Sequence, residues 1–334
     1  MGRMAATTGL NRARNITDEL LFPSAMAVDA ADRIPAAHLA ALADAGLYGL
    51  VGPAAAGGLG GSMADLCAVA EVLASGCLAT TFVWLQHHRA VRVVAGARPA
   101  VREHWLAPLC RGQVRAGIAL GGARPGPPLL RGRAADGGYR LEGSSPWVTG
   151  WGLVDVLYVA ARDDHGDLVT MLVPARDGPA LAARRLAPVA TSASCTVELS
   201  FDGLFVPADR VLEIISLPDW QAGDVRGLRS NGSLALGVAA RCCALAGPGL
   251  LDGELASRRQ ALDSAALQDM PAARAAAAEL AMRASATLVT TAGSRSILAG
   301  EHPQRLAREA LFLLVFASRP AIKQHLIALL TSAT

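Results

Sequence analysis

Residues 139–162 read YRLEGSSPWVTGWGLVDVLYVAAR, and the fold turns on how this stretch is read. Tyr139 and Leu141 alternate with polar neighbours, Gly143 marks a turn, and Val154 to Ala161 is a dense apolar run. Between them stand Trp147 and Thr149, two residues apart. In an extended strand the period of two puts both side chains on one face. That face then offers a flat apolar plate beside a small hydroxyl, which suits a planar, hydrogen-bonding ligand such as a flavin ring. A core tryptophan beside a surface β-forming threonine fits the same spacing.

Outward from this stretch, strand signals continue on both sides. Gly117 to Leu120, Leu168 to Val173 and Cys195 to Phe201 are apolar or alternating, and Asp136-Gly137-Gly138 and Asp163 to Gly166 punctuate them as turns. Short strands at this spacing predict a small antiparallel barrel or sandwich over residues 117–206. Before it, residues 1–116 read as helices. A frayed start and a short helix lead to Pro35 at a first turn, and Ser62 is placed to cap a helix carrying Asp65, Leu66, Val69 and Leu73. Thr80 to Val94 is a second apolar helix. Its adjacent His87 and His88 lie about 100° apart around the axis, so they do not converge on one metal; one is expected half-buried and the other exposed. The glycine cluster 57–61 lacks the Lys-Ser/Thr of a phosphate loop and reads as a turn.

After Pro207 the helical pattern returns over residues 207–334: roughly Leu228 to Ala246, Leu255 to Leu267, Ala272 to Leu298 and Pro303 to Leu330. Pro271 and Pro303 mark helix starts. The fold class is therefore α+β, with an N-terminal helical domain (1–116), a central β-domain (117–206) and a C-terminal helical bundle (207–334).

Composition bounds the function. The 334 residues are 52% hydrophobic with a net charge of +3, ample for a large core. Arginines are scattered, so no nucleic-acid patch or membrane-binding arm stands out. Charged residues interrupt each Ala-rich run before about 18 apolar residues accumulate. No secretory leader pattern is read at the start. Cys67, Cys77, Cys110, Cys195, Cys242 and Cys243 show no metal-binding spacing. Buried free thiols and a cytoplasmic setting are expected, with no metal.

The order helices, β-domain, helices resembles the acyl-CoA dehydrogenase family, and four stretches carry the resemblance. Ala45 to Pro53 with Gly57 to Gly60 is similar to the family's early Gly-Leu-Phe-Gly … Pro … Gly-Gly-Leu-Gly segment. Trp147-Val148-Thr149, after Gly143 and before Asp155 and Tyr158 to Ala161, is similar to its flavin-contacting Trp-x-Thr. Leu199 to Leu212, LSFDGLFVPADRVL, resembles the phrase at the exit from its β-domain. Leu236 to Ala240 and Arg308-Glu309-Ala310 resemble landmarks of its last helices. The resemblance implies FAD as cofactor, with its ring against Trp147 and Thr149 hydrogen-bonded near the reactive nitrogen. It also places Arg258 and Gly293 near the family's Arg and Gly contacts to a partner subunit's FAD.

Three departures stand beside the matches. The usual Thr-Glu-Pro flavin strand is replaced by Ala119 to Pro125, ALGGARP. The family's catalytic Glu, which takes the α-proton while hydride leaves the β-carbon, falls on Ala317, and Gly227 to Asn231 on an earlier helix holds no acid either. The C-terminal block is short, with a helix interrupted near Gly247 to Gly253. Ser318, Arg319 and Arg229 are the candidate polar groups in place of that Glu. The resemblance then implies an oxidoreductase acting on an acyl thioester of CoA or a carrier protein. A flavin-dependent monooxygenase, which needs no α-proton base, and a flavin-free subunit partnering an active paralogue are the alternatives. A homodimer or homotetramer, or a hetero-oligomer with a paralogue, is expected from the apolar Leu311 to Leu314 surface.

Overall fold

Apolar residues at helical spacing build the first layer. The computed structural model describes the backbone of residues 2–249 and 251–332, and their side chains from residue 8 onward. Six α-helices precede the first strand: α1 (Gly2–Ile16), α2 (Phe22–Asp29), α3 (Ala36–Asp44), α4 (Met63–Gly76), α5 (Leu78–Gly96) and α6 (Pro99–Cys110), with a π-turn at Thr17–Leu21 joining the first two. Ser62 starts α4 as its sequence position suggests. Its hydroxyl accepts the Asp65 N–H at 3.2 Å, and Asp65 Oδ2 accepts the Ser62 N–H at 2.6 Å, a reciprocal capping box. α5 threads between two apolar cores, with Leu78 to Leu85 packed in one and Ala90, Val91 and Val94 in the other. This double cover corrects the reading of its histidines: His87 and His88 are both buried.

Among the described residues eight strands follow, joined in one sheet: β1 (Ala116–Ala119), β2 (Leu130–Ala135), β3 (Gly138–Val148), β4 (Val156–Arg162), β5 (Leu168–Pro174), β6 (Leu181–Arg185), β7 (Val197–Pro207) and β8 (Val211–Ile215). Their order is β6-β7-β3-β2-β4-β5-β8, with β1 also on β4. The pairings are antiparallel except that β1 and β2 run parallel to β4, so the sheet is mixed rather than wholly antiparallel. β4 explains why its run is apolar at nearly every position. Leu157, Val159 and Ala161 enter the larger core, and Val156, Tyr158 and Ala160 enter the smaller one. A strand covered on both faces needs no polar alternation. Gly143 sits in β3 at φ 119°, with Leu129 O 2.1 Å from where a Cβ would stand, so only glycine fits there.

Ser216 caps α7 (Leu217–Ala246), accepting the Asp219 N–H at 3.2 Å. The helix therefore begins well before Leu228, through a polar, glycine-containing stretch. α8 (Asp252–Ser264), α9 (Met270–Ala292), α10 (His302–Val315) and α11 (Pro320–Thr331) complete the bundle. Gly237 lets α7 lie directly on α4: a Cβ there would meet Glu71 O at 2.4 Å. The single helix expected from Pro303 to Leu330 is two helices. Pro320 disfavours helical backbone at Arg319, which is extended at φ −120°, ψ 158°, and Ala317 turns to φ 50°. We propose domain limits at residues 116 and 206, with β8 lying beyond the second and pairing back to β5. Among the described residues no helix is long and apolar enough to cross a membrane.

Candidate functional site

The helices on both sides of the sheet and the strand ends that face them enclose a cavity of about 790 Å³. One wall is aromatic. Phe82 on α5 meets Phe312 of α10 and Phe316 just beyond it at centroid separations of 5.3 and 4.8 Å. Trp147 contributes a second aromatic surface, and it is 62% exposed, a large apolar side chain presented to the cavity and not packed away.

Trp147 and Thr149 both line the cavity, but a pleated strand does not bring them there. The β3–β7 register shifts between Ser145 and Val148, and Trp147 has φ 60°. A bulge re-aims the indole, while Thr149 lies one residue past the strand and is buried. The Thr149 hydroxyl is 3.1 Å from Thr196 Oγ1, which is 3.0 Å from Ser194 Oγ. A hydroxyl donates once and accepts twice, so this chain fixes Thr149 and leaves capacity for another partner.

The break between α10 and α11 forms the opposite side. Ala317, Ser318 and Arg319 all line the cavity, together with Trp220, Asp224, Gly227, Ser230 and Asn231 of α7. Arg274, buried on α9, holds the end of α10 by donating from Nη2 to Leu313 O at 3.1 Å and Phe316 O at 3.5 Å. A cation there suits the negative end of the helix, and burial lowers the Arg274 pKa to about 10. Among the described residues lining the cavity, Asp224 is the one carboxylate. Arg319 bonds it from Nε at 2.9 Å and Nη2 at 2.7 Å.

Three of the sequence candidates lie elsewhere. Arg229 faces α8, bonded to Asp263 at 2.7 Å and to Ser233 at 2.8 Å, because Gly227, Ser230 and Asn231 occupy the cavity side of α7. Arg258 pairs along α8 with Glu254 at 2.9 Å. Gly293 ends α9 at φ 72° in an exposed turn. The cavity is lined instead by Arg89 and Arg92 of α5, Trp220 and Asp224, none of which the sequence singled out, and by His88, which it weighed only as a metal ligand. The available signal was two arginines three residues apart on an otherwise apolar helix. His87 has a structural part, donating from Nε2 to Leu109 O at 3.1 Å and accepting the Ala116 N–H on Nδ1 at 3.0 Å. Burial lowers its pKa to about 3, so it is neutral there.

Residues 9–113 match the acyl-CoA dehydrogenase N-terminal domain family. The N-terminal helices of this chain are thus an acyl-CoA dehydrogenase N-terminal domain. It is 27% identical over 203 residues to a benzylmalonyl-CoA dehydrogenase of Aromatoleum aromaticum, covering 57% of this chain and 52% of the relative. It is 30% identical over 258 residues to the oxygenase component of an FADH2-dependent resorcinol hydroxylase of a Rhizobium species, covering 72% of this chain and 58% of the relative. The chain thus spans little more than half the length of these curated relatives. A glutaryl-CoA dehydrogenase solved with glutaryl-CoA superimposes at TM-score 0.84 with 18% identity, covering 97% of this chain and 94% of that one. The family's helix–sheet–helix fold is the fold seen here.

Proposed function

We propose that this chain is an FAD-dependent oxidoreductase whose cavity takes an acyl thioester, carried by CoA or by a carrier protein. The observation that carries the reading is Trp147, a bulge-borne indole left open to the cavity with the Thr149 hydroxyl anchored beside it. Those two residues would hold the isoalloxazine by stacking and by one hydrogen bond. When bound, the flavin supplies the redox chemistry, taking electrons from the substrate or delivering them to oxygen. Phe82, Phe312 and Phe316 would exclude water from the acyl chain. Desaturating an acyl thioester also removes an α-proton, and Ala317 contributes no base. Asp224 is the carboxylate that lines the cavity, and because both Arg319 bonds fall on Oδ2, its Oδ1 would take that proton.

The alanine at position 317 favours a second reading on the same site, a flavin-dependent monooxygenase, for which no such base is needed; the likeness to the resorcinol hydroxylase component supports it. A homodimer or homotetramer fits the exposed Leu311 and Val315 of α10. The test is to load the protein with FAD and mix it anaerobically with acyl-CoAs. Bleaching of the flavin band supports the first reading. No bleaching, with substrate-dependent oxygen uptake by the reduced flavoprotein, supports the second. A protein that never binds FAD would leave only a non-catalytic partner of an active paralogue.

A further inference from the structure

Around Arg89 the fold gathers hydrogen-bond donors that have no acceptor. Arg89 is held between two rings, its guanidinium carbon 5.3 Å from the Tyr158 centroid and 5.2 Å from the Trp220 centroid. Among the described residues its Nε has no partner, nor do Tyr158 Oη, Trp220 Nε1 or either nitrogen of His88. Tyr158 is 0% exposed, His88 1% and Trp220 3%. Buried polar groups are nearly always paired, so a cluster of exceptions in one place calls for an explanation. Arginine and tryptophan can only donate, and tyrosine and neutral histidine each carry one proton to give. Burial keeps His88 neutral, with the charges of its surroundings acting in the same direction.

His88, Arg89 and Trp220 line the cavity, and Arg92, one turn along α5, and Arg124 add two more guanidiniums to its surface. Among the described residues none of these three arginines forms a salt bridge with a carboxylate. Asp224 is taken by Arg319. Glu213 on β8 senses Arg89 electrostatically without pairing to it, and does not line the cavity. The wall is thus rich in donors and positive charge and short of free carboxylates.

We propose that this wall is a carboxylate-binding subsite, and that the acyl group accepted here bears a second, free carboxylate remote from the thioester. A planar guanidinium presents two parallel N–H donors that match both oxygens of a carboxylate, and the Tyr158 and Trp220 rings hold that fork in place. His88 and Trp220 each offer one further donor. The inference deepens the proposed function and rests on its placing of an acyl thioester in this cavity.

The experiment is a calorimetric titration of the protein, with and without FAD, using paired thioesters: succinyl-, glutaryl- and adipyl-CoA against butyryl-, pentanoyl- and hexanoyl-CoA, with free CoA as control. At least one carboxylated member is expected to bind about tenfold or more tightly than its uncharged counterpart, the size of a charge-assisted hydrogen bond. Arg89→Gln should erase that preference while leaving the uncharged thioester and the FAD absorbance titration unchanged. Should Arg89→Gln not fold, the exposed Arg92→Gln is expected to reduce the preference several-fold. Equal binding within every pair would overturn the proposal, as would inorganic phosphate competing as strongly as the carboxylated thioester. Weakened FAD binding in Arg89→Gln would also overturn it, assigning the wall to the flavin's phosphates. Failure of FAD to bind at all sinks the flavin reading alone, because the paired titration is read on the flavin-free protein.

Discussion

Arg319 holds Asp224 through two guanidinium nitrogens on one oxygen, Nε at 2.9 Å and Nη2 at 2.7 Å from Oδ2. The pair joins the α10–α11 break to α7 across the cavity. Its carboxylate is the one that the proposed desaturation would call on in place of an acid at Ala317, through the free Oδ1. If acyl thioesters are oxidised here, Asp224→Asn slows their anaerobic reduction of the bound flavin by about 10²-fold or more. Ala317→Glu should raise that rate with little further backbone strain, because alanine at φ 50° already carries the Cβ that the left-handed region disfavours. Stopped-flow absorbance checks both. Rates unchanged in both variants would shift the reading to oxygen chemistry.

Trp147 is predicted to serve the ligand and not the core. Trp147→Ala should weaken FAD binding by about tenfold or more, through loss of stacking and of apolar contact. Its melting temperature in the flavin-free state should stay close to that of the wild type, since the side chain is 62% exposed. A large drop in flavin-free stability would mean that the indole is structural.

The contact of α7 with α4 makes a paired prediction about glycine. Gly237→Ala places a Cβ 2.4 Å from Glu71 O and 2.7 Å from the Ala74 Cβ, and should cost about 1–3 kcal/mol. Gly223→Ala in the same helix meets nothing within 4 Å and should stabilise by about 1 kcal/mol. Denaturant melts of the two variants should move in opposite directions.

Stability should fall in mild acid. The His87 pKa drops from its ordinary 6.5 to about 3 in the fold through burial, so between those values the unfolded chain binds more protons than the native one. That stability is complete above about pH 6.5 and is lost as pH falls toward 3, at up to about 1.4 kcal/mol per pH unit for this one group. Buried His88 acts in the same direction. Chemical denaturation at a series of pH values should show this slope, and His87→Gln should make it shallower. An unchanged slope would assign the acid sensitivity to other groups.

Much of this architecture is legible in the sequence, where side-chain chemistry and periodicity agree. The β4 run, the Ser62 cap and the Pro271 and Pro303 starts are each written in a few adjacent residues. β2 and β6 were hidden because Arg131, Arg133, Arg184 and Arg185 interrupt the apolar run that marks a strand, and β8 because its five residues fall after Pro207, where the helical pattern was read to resume. The break at Phe316 to Arg319 was hidden because an Ala-Ser-Arg-Pro segment interrupts an otherwise helical apolar pattern only by its proline. Trp147 and Thr149 were legible as a pair, but their route to the cavity was not, since a bulge is a relation between two strands. Asp224 with Arg319, and the donors around Arg89, likewise join side chains from separate elements, which no local pattern encodes.

Everything proposed for this cavity depends on Trp147 and Thr149 forming a flavin site. That assignment is tested most directly by titrating the purified protein with FAD and recording its visible absorbance, alongside Trp147→Ala. The wild type should give a saturable shift of the flavin band, and the variant should bind more weakly. A wild-type protein that shows no saturable shift, or a variant that binds FAD as tightly as the wild type, would contradict it.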